Sequence, residues 1–377
     1  MKITIKSKPE DFIVEEEAIL PIKNKGAFSV YQLTKKGWNT IDLLHRLSLE
    51  LKIPYNSLSY GARKDRHALT TQYIAIKNYH KPEFKQKDFS LKLIGFMDRA
   101  MGPDLIKENK FKITIRNLNA NQIKNALAEI AFIQETGYPN YFDDQRFGSF
   151  DTNQGFFAEK VLKGHFNGAL KIHLTSKNQL FLKLWKDWKT CLEHAKTKFE
   201  KDVFLFLSQN PNKFLPLLKL IPKDELTIYF SAFQSYLWNE VLSKIILQKT
   251  SAPFKACKGI AGDYLFYTNL EKEAFEYLKS LELPAPSAKT KMPDKLSQNI
   301  YENMLEENHL KAAMFNQKKL RKAFFKPTPR KAIISPTDLS FTTTDDELYH
   351  KKQKLKLCFT LAKGSFATMF LKRIFSS

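Results

Sequence analysis

The residues best suited to chemistry are concentrated in SYGARKDRHALTTQYIAIK, residues 59–77. Here a single carboxylate, Asp65, lies among Arg63, Lys64, Arg66 and His67. Surrounding positive charge depresses the pKa of an aspartate and keeps it ionised. In a surface that attracts polyanions, such a carboxylate repels the phosphates its neighbours attract, so it is costly unless it has a job. On residue types alone, an exposed turn laced with salt bridges is the plainer reading. Metal-assisted hydrolysis needs several carboxylate, His or Cys ligands, and the eight His and three Cys show no ligand spacing. Nucleotide-driven chemistry wants G-x-x-x-x-G-K-[ST], or G-x-G-x-x-G after a strand, and neither occurs. What remains is metal-free work by the carboxylate itself, as nucleophile or as base. The pair Gly259 and Gly262 in KGIAGD could clamp a backbone, but such pairs arise by chance and it receives no role.

Elements able to position Asp65 are readable on both sides of it. Before the motif, Asn39 or Thr40 caps a helix running through Ile41, Leu44, Leu47 and Leu51 and stopping before Pro54. After the glycine turn at Gly61, a strand is expected from Gln72. MKITIK alternates Ile3 and Ile5 with polar neighbours, and KFKITIRN puts Phe111, Ile113 and Ile115 on one face. A second helix runs from about Asn121 through Ile123, Leu127 and Ile130 to a stop at Gly137. From Phe156 to Arg330 the texture turns to longer helical patterns, with Phe204 to Leu220 expected to be mostly buried. Glu282 to Pro293, with three prolines, reads as a surface loop. Gln317 to Lys331 holds seven basic residues and no acidic one, and its plainest reading is a solvated hinge. Strand patterning returns in KLKLCFTL, followed by Gly364, a Ser365 cap and an amphipathic close. A terminus that regains the texture of the first 150 residues points to one domain interrupted by another.

Composition sets the frame. A chain of 377 residues is long enough for two or three packed units, and 43% hydrophobic residues with 31 Phe exclude wholesale disorder. Against 39 acidic residues stand 61 basic ones, giving +22 spread along the chain and long-range attraction to a polyanion. Three distant cysteines, without a C-x-x-C pair, fit a reducing cytoplasm. No uncharged stretch approaches the roughly 18 residues a membrane-spanning helix needs, so a soluble protein is expected.

The segment G-A-R-K-D-R-H-A-L-T-T-Q resembles the catalytic motif of the TruD family of tRNA pseudouridine synthases. Lys6-Ser7-Lys8-Pro9-Glu10-Asp11-Phe12-Ile13-Val14-Glu15-Glu16 is similar to that family's N-terminal motif, and Glu108-Asn109-Lys110-Phe111-Lys112-Ile113 to its second. Pro139-Asn140-Tyr141-Phe142 with Gln145-Arg146-Phe147-Gly148 resembles the third. Ser231-Ala232-Phe233-Gln234-Ser235 through Asn239 is similar to a helix of the family's inserted domain, and Gly364-Ser365-Phe366-Ala367-Thr368 to its C-terminal motif. Six ordered matches from Lys6 to Thr368 make chance agreement implausible. Asp143 stands where the family usually has glycine, and Ala362-Lys363 replaces its usual Pro-Ala.

The resemblance implies an α+β fold: a pseudouridine synthase catalytic domain, with a mixed and largely antiparallel sheet flanked by helices, from residues 1–154 and 336–377. A TruD-specific α/β insert occupies 155–335, with RNA in the cleft between the two bodies. It implies that Asp65 is the nucleophile, that Lys6 is a basic residue facing the site, and that Phe111 stacks on the flipped base. Phe12, Asn109 and Phe366 line the pocket. Arg63, Lys64, Arg66, Lys318, Lys319, Arg321 and Lys322 are expected at the RNA backbone, with Arg146 as an orienting charge. The implied reaction converts uridine, at position 13 of a tRNA and typically a glutamate tRNA, to pseudouridine with no cofactor and no metal. A monomer is expected, with tRNA as partner and no membrane. A catalytically silent RNA-binding or RNA-folding protein could use the same basic surface but needs Asp65 for nothing. An RNA methyltransferase needs a glycine-rich turn after a strand for its donor, which is absent.

Overall fold

A computed structural model of the chain describes residues 4–320 and 324–376. Ile3 of the first strand pattern, and Arg321 and Lys322 of the basic run, lie outside the described residues. The chain forms two compact units, one from Met1–Gly137 with Ser335–Phe375, the other chiefly from Tyr138–Ile334. Residues 138–154, which the family resemblance places in the interrupted domain, group with the second unit.

The first unit is built on a mixed sheet of ten strands. In chain order its strands include β1 (Thr4–Ile5), β2 (Phe12–Ala18), β3 (Phe28–Lys36), β4 (Leu58–Tyr60) and β5 (Leu69–Lys77). They continue with β6 (Glu83–Lys85), β7 (Phe89–Met97) and β8 (Ile106–Leu118), then the strands Thr337–Asp345 and Gln353–Ala362. Across the sheet the order is Thr337–Asp345, Gln353–Ala362, β8, β2, β5, β3, β7, β6, with β1 added to β8 and β4 to β5. All these pairings are antiparallel except β2 with β5.

Register decides which side chains share a face, because directly opposed residues point the same way. Val14 opposes Phe111, which opposes Phe359, while Glu16 opposes Asn109. Val14 also pairs with Thr70, and Thr70 with Lys35. Phe12, Val14, Glu16, Lys35, Thr70, Asn109 and Phe111 therefore line one face. Helix α1 (Thr40–Glu50) packs its Leu43, Leu44 and Leu47 on this face against Tyr31, Leu33, Ile74 and Ile76. Of the two expected caps it uses Asn39, whose side chain accepts from the Asp42 N–H at 2.8 Å. Helix α2 (Ala120–Thr136) starts one residue before the expected position, with Asn119 and Gln122 forming a capping box. It ends at Gly137, whose φ of 68° lies in the left-handed region that glycine adopts without steric cost.

Arg116 joins distant parts of this unit. Its guanidinium holds Asp11 through bonds of 2.8 to 3.0 Å and Asp346 at 2.9 Å.

The second unit is mainly helical, centred on the long helix Lys223–Lys249 that carries the Ser231–Asn239 motif. Small two-stranded ladders complete it. One pairs Glu282–Pro284 with Pro329–Lys331, so the ends of the expected loop and of the expected hinge are strand, while 285–293 is irregular and most described residues of 317–331 are exposed. Leu283 is fully buried, and Phe325 is buried with its ring stacked on Phe230. The prolines are tolerated because a two-stranded ladder leaves each strand an outer edge where a missing N–H breaks no bond.

Candidate active site

The loop from Gly61 to Ala68 carries Asp65 at the lip of the shared sheet face and is fastened at successive residues. The carbonyl of Ala62 accepts from the Gln72 side chain at 3.1 Å. Gln72 in turn accepts from the Thr40 hydroxyl at 3.0 Å, and that hydroxyl accepts from the Lys64 N–H at 2.9 Å. Gly61 opens the loop where the chain passes close to β8: a Cβ there would lie 2.5 Å from the Ile106 side chain, so only glycine fits without displacement.

Asp65 sits in an asymmetric electrostatic setting. Its Oδ2 accepts a hydrogen bond from the Lys6 ammonium and its Oδ1 accepts from the His67 N–H at 3.2 Å. Burial on its own raises the carboxyl pKa, but the Lys6 hydrogen bond and charge, with the His67 contacts, outweigh it and hold the group below the usual aspartate range. The carboxylate is therefore ionised throughout the neutral range. Lys6 reaches it from a backbone with φ of 62°, unusual for a residue with a side chain. The same ammonium lies 4.3 Å from the centroid of the Phe12 ring, a cation–π contact.

Behind this pair stands an aromatic wall. Phe12 meets Phe111 edge-on at 6.3 Å between centroids, and Phe111 stacks on Phe359 at 5.4 Å. Phe12 and Phe111 are 4% and 6% exposed, so in the free protein the wall is covered. Asn109, two residues before Phe111, accepts from the Lys64 ammonium, which also forms an ion pair with Glu16 at 2.8 Å. Glu16 accepts from the Tyr73 N–H at 3.0 Å through its other oxygen. Phe366 is partly exposed in the turn that leads from Gln353–Ala362 into the helix Ala367–Phe375.

The structure thus brings Lys6, Phe12, Asp65, Asn109 and Phe111 to one sheet face. Arg63 and Arg66 are exposed on the same loop. Lys64 corrects the expectation of an RNA-backbone contact: it is 9% exposed and its ammonium is spent inward on Glu16 and Asn109. Lys318 and Lys319 are exposed in the second unit, where Lys319 lies over the Phe166 ring at 5.4 Å. Arg146, in that unit too, stands 5.5 Å from the Phe142 ring. Sequence pattern missed Glu16 and Lys35. Both were findable: Phe12-Val14-Glu16 and Tyr31-Leu33-Lys35 each continue an inward-facing alternation with a charge where an apolar residue is due.

Among the described residues, no group of three His, Cys, Asp or Glu side chains is placed to hold a metal ion, and no helix is long and apolar enough to cross a membrane. The first unit presents one ionised aspartate beside aromatic rings on a mixed sheet, and comparison with known proteins gives the family. A family model described as tRNA pseudouridine synthase D (TruD) matches residues 1–374. The chain belongs to that family of tRNA pseudouridine synthases. A probable tRNA pseudouridine synthase D 1 from Methanococcus maripaludis is 32% identical over 98% of this chain and 99% of its own. The tRNA pseudouridine synthase D of Aquifex aeolicus is 28% identical, with 100% and 99% covered. The crystal structure of a putative tRNA pseudouridine synthase D from Methanosarcina mazei superposes with a TM-score of 0.71 at 25% identity, covering 98% of this chain and 92% of that one.

Proposed function

We propose that this chain converts uridine 13 of a tRNA, typically a glutamate tRNA, to pseudouridine, with Asp65 as the nucleophile. The observation that carries the reading is the pairing of Lys6 with Asp65 at the lip of the Phe12–Phe111 wall. Isomerisation breaks the bond from C1′ of the ribose to N1 of the uracil, turns the base, and forms a bond from C1′ to C5. The C5 proton leaves and N1 regains one, so the reaction needs neither oxidant nor energy donor. The Asp65 carboxylate attacks or assists at the sugar as the glycosidic bond opens. Lys6 keeps that carboxylate anionic, and its displacement from Asp65 by the incoming nucleotide exposes the Phe12 ring. Phe12, Phe111 and Phe366 then wall the detached uracil from water while Asn109 offers polar contact to its edge. Extruding the target costs a few kcal/mol, part of which stacking on Phe111 returns. The enzyme acts as a monomer in the cytoplasm.

Exposed Arg63 and Arg66, with Lys318, Lys319, Arg321 and Lys322, grip phosphates, and Arg146 orients charge. Each phosphate that is no longer neutralised shallows the slope of log K against log salt by about 0.7 to 0.9. Replacing Arg63 and Arg66 by Ala is expected to weaken tRNA binding with a shallower slope, measured by filter binding across salt, while the single-turnover rate at saturating enzyme stays near the parent's. An unchanged slope removes these arginines from the phosphate-binding set. The reading as a whole is tested by mapping pseudouridine in tRNA incubated with and without the protein: it predicts a new pseudouridine at position 13, and its absence overturns the assignment.

A further inference from the structure

Lys35 is 1% exposed, at the C-terminal end of β3 and on the face that carries the site. A lysine so deeply buried demands compensation, since an ammonium stripped of water is costly unless every proton finds an acceptor. Here the acceptors are backbone carbonyls: Trp38 O at 2.7 Å, Asp65 O at 2.8 Å and Lys64 O at 3.4 Å. An ammonium has three protons, and three carbonyls converge on it. Two of them belong to the residue proposed as nucleophile and to its neighbour, and the third lies at the approach to α1.

We propose that Lys35 is a positioning residue for the isomerisation, pinning the backbone of Lys64 and Asp65 to β3 so that the Asp65 carboxylate is held toward Lys6. The proposal rests on the reading of Asp65 as nucleophile and extends it one layer inward. The Asp65 carboxylate accepts from Lys6, the contact an incoming nucleotide displaces in the proposed reaction, and from the His67 N–H of its own loop. When Lys6 moves away, the loop backbone needs support from the sheet. Thr40 and Gln72 hold Lys64 N and Ala62 O, and Lys35 extends that support to the carbonyl of Asp65 itself.

The charged groups facing Lys35 are Asp65 and Lys64, themselves paired with Lys6 and Glu16. Its neighbours across the sheet, Thr70 and Phe89, carry no charge, and Lys36 pairs with Glu10 on the other face. Burial pushes the Lys35 ammonium down to about 8, with the Asp65 charge opposing and the Lys64 charge adding to the effect. Above that pH two N–H groups remain for three carbonyls. Stability moves the other way: between the folded value and the ordinary lysine range the unfolded chain binds one proton more than the folded one, so this group's contribution to stability rises with pH. Loss of rate without loss of stability is the signature of positioning.

The test is single-turnover conversion of tRNA by the parent, Lys35→Met and Lys35→Arg between pH 7 and 9.5, with tRNA affinity and the urea midpoint measured alongside. The parent is expected to slow at least fivefold as pH rises from 7.5 to 9.5, with no fall in its urea midpoint. Lys35→Met is expected to be at least 30-fold slower than the parent at pH 7.5, with tRNA affinity within threefold and no alkaline decline of its own. If Lys35→Met does not fold, Lys35→Arg, which keeps a charge that does not titrate here, decides: it retains measurable rate and lacks the alkaline decline. A Lys35→Met protein at the parent rate, a parent rate flat to pH 9.5, or an alkaline decline that persists in Lys35→Arg overturns the proposal. Asp65→Asn run in parallel separates the two ideas. If it is inactive while Lys35→Met is normal, the clamp alone fails; if it keeps its rate, the nucleophile assignment has failed first.

Discussion

Replacing Asp65 by Asn is expected to lower the single-turnover rate by at least three orders of magnitude, about 4 kcal/mol of transition-state stabilisation, while tRNA affinity stays within a few fold of the parent. The amide keeps the size of the side chain, and its oxygen can still accept from the Lys6 ammonium or the His67 N–H, so the loop retains a tether on this side. What disappears is the anion that attacks or assists at C1′. Affinity holds because a carboxylate that repels phosphate is removed while every cation that binds phosphate stays in place. Quenched time courses at saturating enzyme, with filter binding on the same preparation, check both halves. A residual rate within tenfold of the parent sinks the nucleophile, and loss of binding makes Asp65 a structural residue.

The largest effect on stability is expected at Lys64. Its ammonium is paired with Glu16, whose side chain is fully buried, and bound to Asn109. Lys64→Met leaves the Glu16 carboxylate inside the sheet, held by the Tyr73 N–H but with no cation against it, an uncompensated buried charge that typically costs about 3–5 kcal/mol. Glu16→Leu added to Lys64→Met removes the stranded charge and should recover most of that loss, because an apolar pair of similar volume is often as stable as the ion pair it replaces. Urea unfolding of the two variants and the parent provides the comparison. A single variant within about 1 kcal/mol of the parent, or a double variant no better than the single, contradicts the reading of this pair as a buried support beneath Asn109.

Asp65 drew attention as one carboxylate among four cationic or titratable neighbours, but residue types alone favoured a salt-bridged turn, and its proposed role came from resemblance. The helix from Asn39 and the strand through Phe111 were legible because caps and alternation are local properties of the chain. Phe12 and Asn109 were reached only through resemblance, since among 31 Phe an aromatic ring has no mark that separates a pocket from a core. Lys35 and Glu16 were findable as charges within apolar alternations, but what they do was not. Their roles depend on register between strands far apart in sequence, which brings Lys35 beneath residues 64–65 and Glu16 opposite Asn109. Charge counting misled in the same way, because it treats buried Lys64 and exposed Arg63 alike. The loop reading of 282–293 missed only the strand Glu282–Pro284, because its partner lies far along the chain at Pro329–Lys331.

Asp65-dependent pseudouridine at position 13 is the central expectation. A glutamate tRNA transcript incubated with the parent or with Asp65→Asn, digested and mapped at nucleotide resolution by mass spectrometry, gives position and dependence at once. Near-complete pseudouridine at position 13 with the parent, and none above background with Asp65→Asn, is the predicted result. Modification confined to another position, or equal conversion at position 13 by the two proteins, contradicts it.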